Sequence, residues 1–371
     1  MAAGWSPVPP TGRRSAVALP RWWHVACFSR ELRRAPLART VVGAPLVLFR
    51  DAGGRAVALL DRCPHRNVPL SAGRRCDGGL ECAYHGWRFD GEGRCVAVPG
   101  LAGVGADHGA DRPARRVPAF PVAERDGLVW VVPSLEPPVQ AEPPALPHVD
   151  EPGYGTVRHR GSMPATLVDA LENTLDVPHT AFLHRGLFRG GRAPVPVEVR
   201  VESRPDGVEA HYEGEPVPTG LAARLLRVGE GTVTHVDRFL LPSLAQVEYR
   251  LGPHHLVITT AYTPVHETET ALHATVTFRA GLPPAVLRAV VTPLARRILA
   301  QDAAILRLQR DNVARFGGEH YATTPIDVLG PHIVRRLRQA ARAGAAAGTD
   351  PSDEADPGPG PPPVERATLL L

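Results

Sequence analysis

Two short stretches carry residues able to grip a metal centre. Cys63-Pro64-His65 and Cys82-Ala83-Tyr84-His85 each offer one Cys and one His, with sixteen residues between His65 and Cys82. One reading is a structural zinc site. Such sites usually pair Cys with Cys and His with His, as C-x2–4-C and H-x3–5-H. Here the types are mixed within each loop. That mixing suits a [2Fe–2S] cluster with two Cys on one iron and two His on the other. Spacing favours the cluster and leaves zinc open.

A second constellation lies at residues 169–184. Asn173, Asp176 and His179 recur every three residues and share one face of a helix. His184, five beyond His179, would swing away from that face in a regular helix. Pro178 also disfavours helical geometry at Val177. The spacing predicts a kinked or bulged helix, a distortion that recurs at functional sites. Two His with a nearby carboxylate suit non-haem Fe(II), whose facial triad keeps open positions. Taken alone, two His at this spacing can equally be unrelated core or surface residues.

The stretch CPHRNVPLSAGRRCDGGLECAYHGWRFDGEGRCVAVPG (63–100) and the run E-N-x-x-D-x-x-H-x-x-x-x-H (172–184) resemble the Rieske-type non-haem iron oxygenases. Within that family the wording is similar to the monooxygenase and demethylase branch of the ring-hydroxylating alpha subunits. The respiratory kind of Rieske protein carries an extra Cys in each loop, where this chain has Val68 and Tyr84. The resemblance implies an α+β chain. Its parts are an N-terminal all-β Rieske domain and a C-terminal helix-grip-like domain whose antiparallel sheet curves around a helix. It implies a [2Fe–2S] cluster on Cys63, His65, Cys82 and His85. It further implies mononuclear Fe(II) on His179, His184 and a carboxylate from a C-terminal helix.

Residues 294–316 read as that helix, with Asp302 and Asp311 as candidates. Nine residues apart, they point to opposite faces. Asp302 shares its face with Ile305, Leu306, Gln309, Val313 and Phe316, and Asp311 with Ala304, Arg307, Leu308 and Arg315. A carboxylate on the apolar face is buried and needs a charge partner such as a metal, so Asp302 is the expected ligand. The family pattern places an acid before this Asp and a Glu after it. Gln301 and Arg307 stand there instead.

Asp176 lies one turn before His179 and can orient that ring by a hydrogen bond. The family implies that Asp176 also bridges to His85 of a neighbour in a head-to-tail homotrimer. It implies Asn173 as a weak or outer ligand. Electrons would come from a separate NAD(P)H-dependent reductase or ferredoxin, because the chain has no evident flavin or nicotinamide fingerprint. The activity implied is O2 activation to hydroxylate, demethylate or similarly oxidise an apolar aromatic, steroid-like or tetrapyrrole-like molecule, with monooxygenation favoured over dioxygenation. The rivals are a Rieske electron-transfer protein without oxygenase activity and a zinc-binding module. Neither calls for an intact second site.

These residues need elements to hold them. Leu46–Arg50 and Ala56–Leu60 read as a hairpin that feeds the first loop, and Asp90-Gly91-Glu92-Gly93 as the turn of a hairpin after the second. Ligand loops on strand ends are rigidly placed, as a redox centre requires. Trp22 and Trp23 read as core aromatics. Six β-rich runs, 195–202, 207–213, 231–240, 244–251, 255–263 and 270–279, suggest a large antiparallel sheet. His211, His235, His254, His255 and His273 fall on or beside these runs and read as sheet residues. Expected boundaries are a leader at 1–18, the cluster domain at 19–135 and a Pro-rich linker at 136–150. The iron domain follows at 151–343, then a low-complexity disordered tail at 344–371.

Composition narrows the partners. Net charge is +4 over 371 residues, with Arg scattered rather than clustered. Nucleic-acid binding is disfavoured. Five Cys, two claimed by the cluster, leave an odd remainder that argues against a disulfide framework and for a reducing compartment. No signal-peptide pattern or long apolar run is present, so a cytoplasmic protein without a membrane span is expected.

Overall fold

The computed structural model describes residues 19–100, 112–185, 187, 195–217, 233–279, 284–346 and 365–371. The expected leader lies outside them. The chain divides into two compact units: 19–145 with Thr263–Val265, and 146–262 with 266–371.

Among the described residues, the first unit holds eleven short strands in three sheets. β1 (His24–Phe28) pairs with β11 (Leu128–Val131), and β11 with β10 (Val122–Arg125). A second sheet runs β2 (Leu37–Val41), β3 (Ala44–Arg50), β4 (Ala56–Leu60), β9 (Ala119–Phe120). A third runs β5 (Arg74–Cys76), β6 (Gly79–Glu81), β7 (Arg88–Phe89), β8 (Cys95–Ala97). The expected hairpins are β3–β4 and β7–β8. The cluster loops fall between β4 and β5 and between β6 and β7. A core of Val47, Phe49, Leu59, Leu70, Leu80, Phe89, Cys95 and Val117 lies beneath both and takes in Cys63 and Cys82. Trp22 and Trp23 are buried, as expected.

The Pro-rich stretch does not hang as a spacer along its whole expected length. Trp23 Nε1 donates to the Gln140 carbonyl (3.0 Å), Arg125 Nη1 to that of Pro143 (2.7 Å), and Val139 N–H to that of Arg21 (2.9 Å). Proline removes a donor but keeps its carbonyl. Such a segment can dock wherever side-chain donors meet its acceptors.

The second unit is built on one eight-stranded antiparallel sheet. Its strands are β12 (Gly155–Met163), β13 (Pro196–Arg204), β14 (Gly207–Glu213), β15 (Val233–Leu240), β16 (Leu244–Leu251), β17 (His254–His266), β18 (Glu269–Arg279) and β19 (Glu365–Leu370). Their order is β12-β18-β17-β16-β15-β14-β13-β19. The six expected runs are all present. β12 was not anticipated, although Val157, Gly161 and Met163 alternate with Arg158 and Arg160. β19 corrects the expected disordered tail. Its backbone pairs with β13 from Pro196↔Leu370 to Val201↔Glu365, and Leu369 is buried. Low-complexity composition upstream hid a short apolar strand with an open edge to join.

The long helix, Pro284–Arg315, starts ten residues earlier than expected and contains Pro293. An internal proline costs about 3 kcal/mol in an isolated helix, and here the helix continues through it. A terminal helix, Gly330–Ala346, buries Ile333, Leu337 and Ala340.

One row across the sheet is unusual. His235 on β15 stands opposite Tyr212 and Tyr249, and its ring stacks on both, at 4.3 and 4.0 Å between centroids. Its Nδ1 is 2.6 Å from Glu215 Oε2 and its Nε2 2.9 Å from Asp237 Oδ1. Burial opposes a charge there. Asp237 and Glu215 outweigh it and push His235 up to about 9 from an ordinary 6.5. The unfolded imidazole loses its proton near 6.5. The stabilisation is therefore complete below that pH and is lost as pH climbs through 9. A shift of that size corresponds to about 3 kcal/mol. Urea unfolding should show stability falling by up to that amount between pH 6.5 and 9. His235→Gln should flatten the slope; an unchanged slope would refute the ion-pair account.

Candidate functional site

The two cluster loops are built alike. Cys63 N–H donates to the Val68 carbonyl (2.9 Å), and Asn67 N–H donates back to the Cys63 carbonyl (2.8 Å). Cys82 N–H donates to the Trp87 carbonyl (2.8 Å), and Gly86 N–H to the Cys82 carbonyl (3.1 Å). The residue four after each Cys turns the chain in the left-handed region, Asn67 at φ 62° and Gly86 at φ 69°. Asn and Gly are the residues that enter that region most readily.

The loops face one another. The His65 and His85 rings lie 4.5 Å apart between centroids, and His65 stacks flat on Trp87 at 4.8 Å. Both Cys are buried, His65 is half-buried and His85 is exposed. Burial and the neighbouring Cys82 push the Cys63 thiol up to about 11, so a thiolate there needs a cation. His65 Nδ1 is buried without a hydrogen-bond partner. These are features of residues waiting on a metal. Two Cys and two His facing one another are the donor set of a [2Fe–2S] cluster with mixed ligation.

The second constellation sits on a broken helix. The first segment, Leu167–Leu175, is capped by Thr166, whose Oγ1 accepts from Asp169 N–H (3.1 Å). It stops at Asp176, which is extended (φ −93°, ψ 99°), and a short helix, His179–Phe182, follows Pro178. The expected kink is thus a full break. It lets His179 and His184 converge despite their five-residue spacing.

His179 Nε2 and His184 Nε2 are 3.2 Å apart. Asp302 Oδ1, from the long helix, lies 3.0 Å from His184 Nε2 and 3.7 Å from His179 Nε2. Asp302 is buried, with Leu306 buried one turn on and Gln309 half-buried on the same side. Asp311 is exposed. Ile305 and Phe316, assigned to the buried face from sequence, are exposed at 42% and 69%. Ile305 stands about 60° off the Asp302 direction, and Phe316 follows the last helical residue, Arg315.

The tautomers follow from the partners. His179 Nδ1 donates to the main-chain carbonyl of Asp176, and His184 Nδ1 donates to Gln301 Oε1 (3.0 Å). With both protons on Nδ1, both Nε2 atoms present lone pairs. These face each other and a buried carboxylate oxygen that makes no well-formed hydrogen bond. Three donors converging this closely repel one another unless a cation sits among them. They could hold one metal ion. Burial holds the His179 pKa below the ordinary imidazole value. In His184, the pairing with Asp302 and the bond to Gln301 outweigh burial and raise it.

Asp176 contributes differently from the expectation. The atom that orients His179 is its main-chain oxygen, while its carboxylate Oδ2 stands 3.7 Å from the ring. Burial and then the nearby Asp327 push that carboxyl up to about 6. The helix break placed the carbonyl, not the side chain, toward the ring. Asn173 is half-buried on the first helix, outside the three-residue group. Sequence reasoning missed Gln301 as a partner of His184. It also missed Tyr262, buried and bonded to Thr174 Oγ1 (2.5 Å). Burial raises the Tyr262 pKa, with a contribution from Asp302. Nothing in sequence spacing marks it. The other compact group, Glu202, Glu209 and His211, is neutralised by Arg204 (3.2 Å) and Arg238 (3.0 Å) on Glu209.

Comparisons with known proteins match two domains. Residues 22–121 match the Rieske [2Fe-2S] domain, and residues 163–343 the vanillate O-demethylase oxygenase C-terminal domain. The oxygenase component of dicamba O-demethylase from Stenotrophomonas maltophilia is 42% identical over 44% of this chain and 47% of its own length. A putative toluene-4-sulfonate monooxygenase iron-sulfur subunit from Comamonas testosteroni is 38% identical over 44% of this chain and 45% of its own. The match spans less than half the length of either relative. A crystal structure of dicamba monooxygenase bound to dicamba superposes with a TM-score of 0.75 at 27% identity, over 89% of this chain and 100% of that one.

The loop geometry makes a prediction. A Cβ on Gly86 would lie 3.3 Å from Pro99 Cγ, on backbone already in the left-handed region. Gly86→Val should lower stability by about 1–2 kcal/mol in thermal unfolding, while Asn67→Gly stays close to wild type. Equal effects would show that the turn does not limit the loop.

Proposed function

The chain belongs to the Rieske-type non-haem iron oxygenases, and on that premise we propose that it is the terminal oxygenase component of a multicomponent monooxygenase acting on a small aromatic molecule. O-demethylation is the reaction named for one relative and for the matching C-terminal domain, and it is the one we take forward. The observation that carries the proposal is the convergence of two bare imidazole nitrogens and a buried carboxylate oxygen in the unit that follows the cluster domain.

In this reading Cys63, Cys82, His65 and His85 hold the [2Fe–2S] cluster, and His179, His184 and Asp302 hold Fe(II). When bound, the cluster supplies single electrons and the mononuclear iron supplies the open positions where O2 is activated. For an aryl methyl ether, one O2, two electrons and two protons give the phenol, formaldehyde and water. The residues do the positioning. Asp176 O and Gln301 Oε1 fix the two rings, and Asp302 contributes the single anionic ligand. Asn173 stands ready as an outer contact. A Rieske electron carrier without oxygenase activity would have no use for this second constellation.

The partners belong to the same proposal. A separate NAD(P)H-dependent reductase or ferredoxin donates the electrons. The protein works as a homotrimer, in which exposed His85 of one copy meets the half-exposed Asp176 carboxylate of the next. A cytoplasmic location agrees with five cysteines that form no disulfide among the described residues. No helix of the described residues is long and apolar enough to cross a membrane.

Iron and sulfide analysis tests the reading. We expect three irons and two acid-labile sulfides per chain, and formaldehyde release from methoxylated aromatic acids with a surrogate reductase. Asp302→Ala should drop the count to two irons, abolish turnover and leave the cluster spectrum intact; Asp311→Ala should do none of these. If Asp311→Ala removes the third iron instead, the ligand assignment is wrong.

A further inference from the structure

Asp302 and Gln301 are consecutive on the long helix, so their side chains diverge by about 100°. They nonetheless reach the same imidazole from its two nitrogens. Asp302 Oδ1 lies 3.0 Å from His184 Nε2, and Gln301 Oε1 lies 3.0 Å from His184 Nδ1. His184 is thereby held edge to edge by one turn of helix, although it stands 117 residues away in sequence.

The chemistry of the amide matters. Its oxygen can only accept, so His184 keeps its proton on Nδ1 and turns a bare Nε2 toward His179 and Asp302. The opposite amide orientation would aim N–H at Nδ1 and force the proton onto Nε2, where it would block a metal. The partner of His179 is equally neutral, the main-chain oxygen of Asp176. Asp302 is then the one anion among the three ligands. A carboxylate at position 301 would give the same geometry with an added negative charge and a stronger, charge-assisted bond.

Resting on the ligand assignment above, we propose that Gln301 is the positioning residue of the iron site. It fixes the tautomer and ring plane of His184 through a neutral bond, and so sets the metal affinity and redox potential of the centre.

The test uses the full chain with its cluster in place, loaded with Fe(II), and reads the mononuclear Fe(II) dissociation constant and the Fe(III)/Fe(II) midpoint potential. Gln301→Leu should weaken Fe(II) binding by about 10–100-fold with the cluster spectrum unchanged. Gln301→Glu should bind Fe(II) at least as tightly as wild type and show a lower potential. Wild-type affinity in the Leu variant, or equal weakening in both variants, would reduce Gln301 to a packing residue and overturn the proposal. An unshifted potential in the Glu variant would overturn it as well, even if the Leu variant does not fold. A wild-type chain that binds no third iron would overturn the ligand assignment itself. That outcome is recognisable because it precedes any change at position 301.

Discussion

Three lone pairs that repel one another define this molecule. His179 Nε2, His184 Nε2 and Asp302 Oδ1 converge within 3.7 Å. With both imidazoles neutral, three lone pairs this close are best satisfied by a cation among them. Much of the second unit serves to hold that unfavourable arrangement in place. The helix break at Asp176–Pro178 brings two His together that a regular helix would separate. The long helix carries Asp302 in and, through Gln301, holds the far side of His184. Farther along, Gln309 Nε2 reaches Asp169 at 3.3 Å, which ties the same helix to the first one.

The cluster loops solve a related problem by repetition. Each wraps its Cys in a matched pair of backbone hydrogen bonds and closes on a left-handed residue. Two short turns on strand ends are stiff because few torsions are left unfixed, and stiffness limits the rearrangement that follows a change of redox state. The cysteines are sunk in the apolar core while His85 stays exposed. The donors thus sit in different surroundings, the sulfurs in a low-dielectric core and one imidazole at the surface.

How much of this was legible in the chain depends on how local each signal is. The cluster loops are contiguous, so C-x-H and C-x-x-H could be read directly. Spacing left zinc open, and the match to the Rieske [2Fe-2S] domain over residues 22–121 is what favours two irons. The choice of Asp302 over Asp311 followed from helical periodicity, because burial of one face is a property of the sequence. The same argument misjudged Ile305 and Phe316, since periodicity gives a direction but not the width of the surface that covers it. The strand β19 was lost because its partner β13 is far away in sequence. The role of Asp176 was read from its side chain, whereas its carbonyl does the orienting; once the helix breaks, helical spacing no longer says which atom faces the ring.

The sequence by itself determined the donor types, their order, and the periodic patterns that put two ligand loops on strand ends and one acid on a helix. Those are consequences of short-range chemistry: residue type, turn preference and a repeat of 3.6 or 2. Only the tertiary structure decided which atoms meet. Gln301 against His184, Tyr262 against Thr174, and His235 between Glu215 and Asp237 all join residues distant along the chain or across strands. Their pairing is set by packing and register, which spacing does not encode.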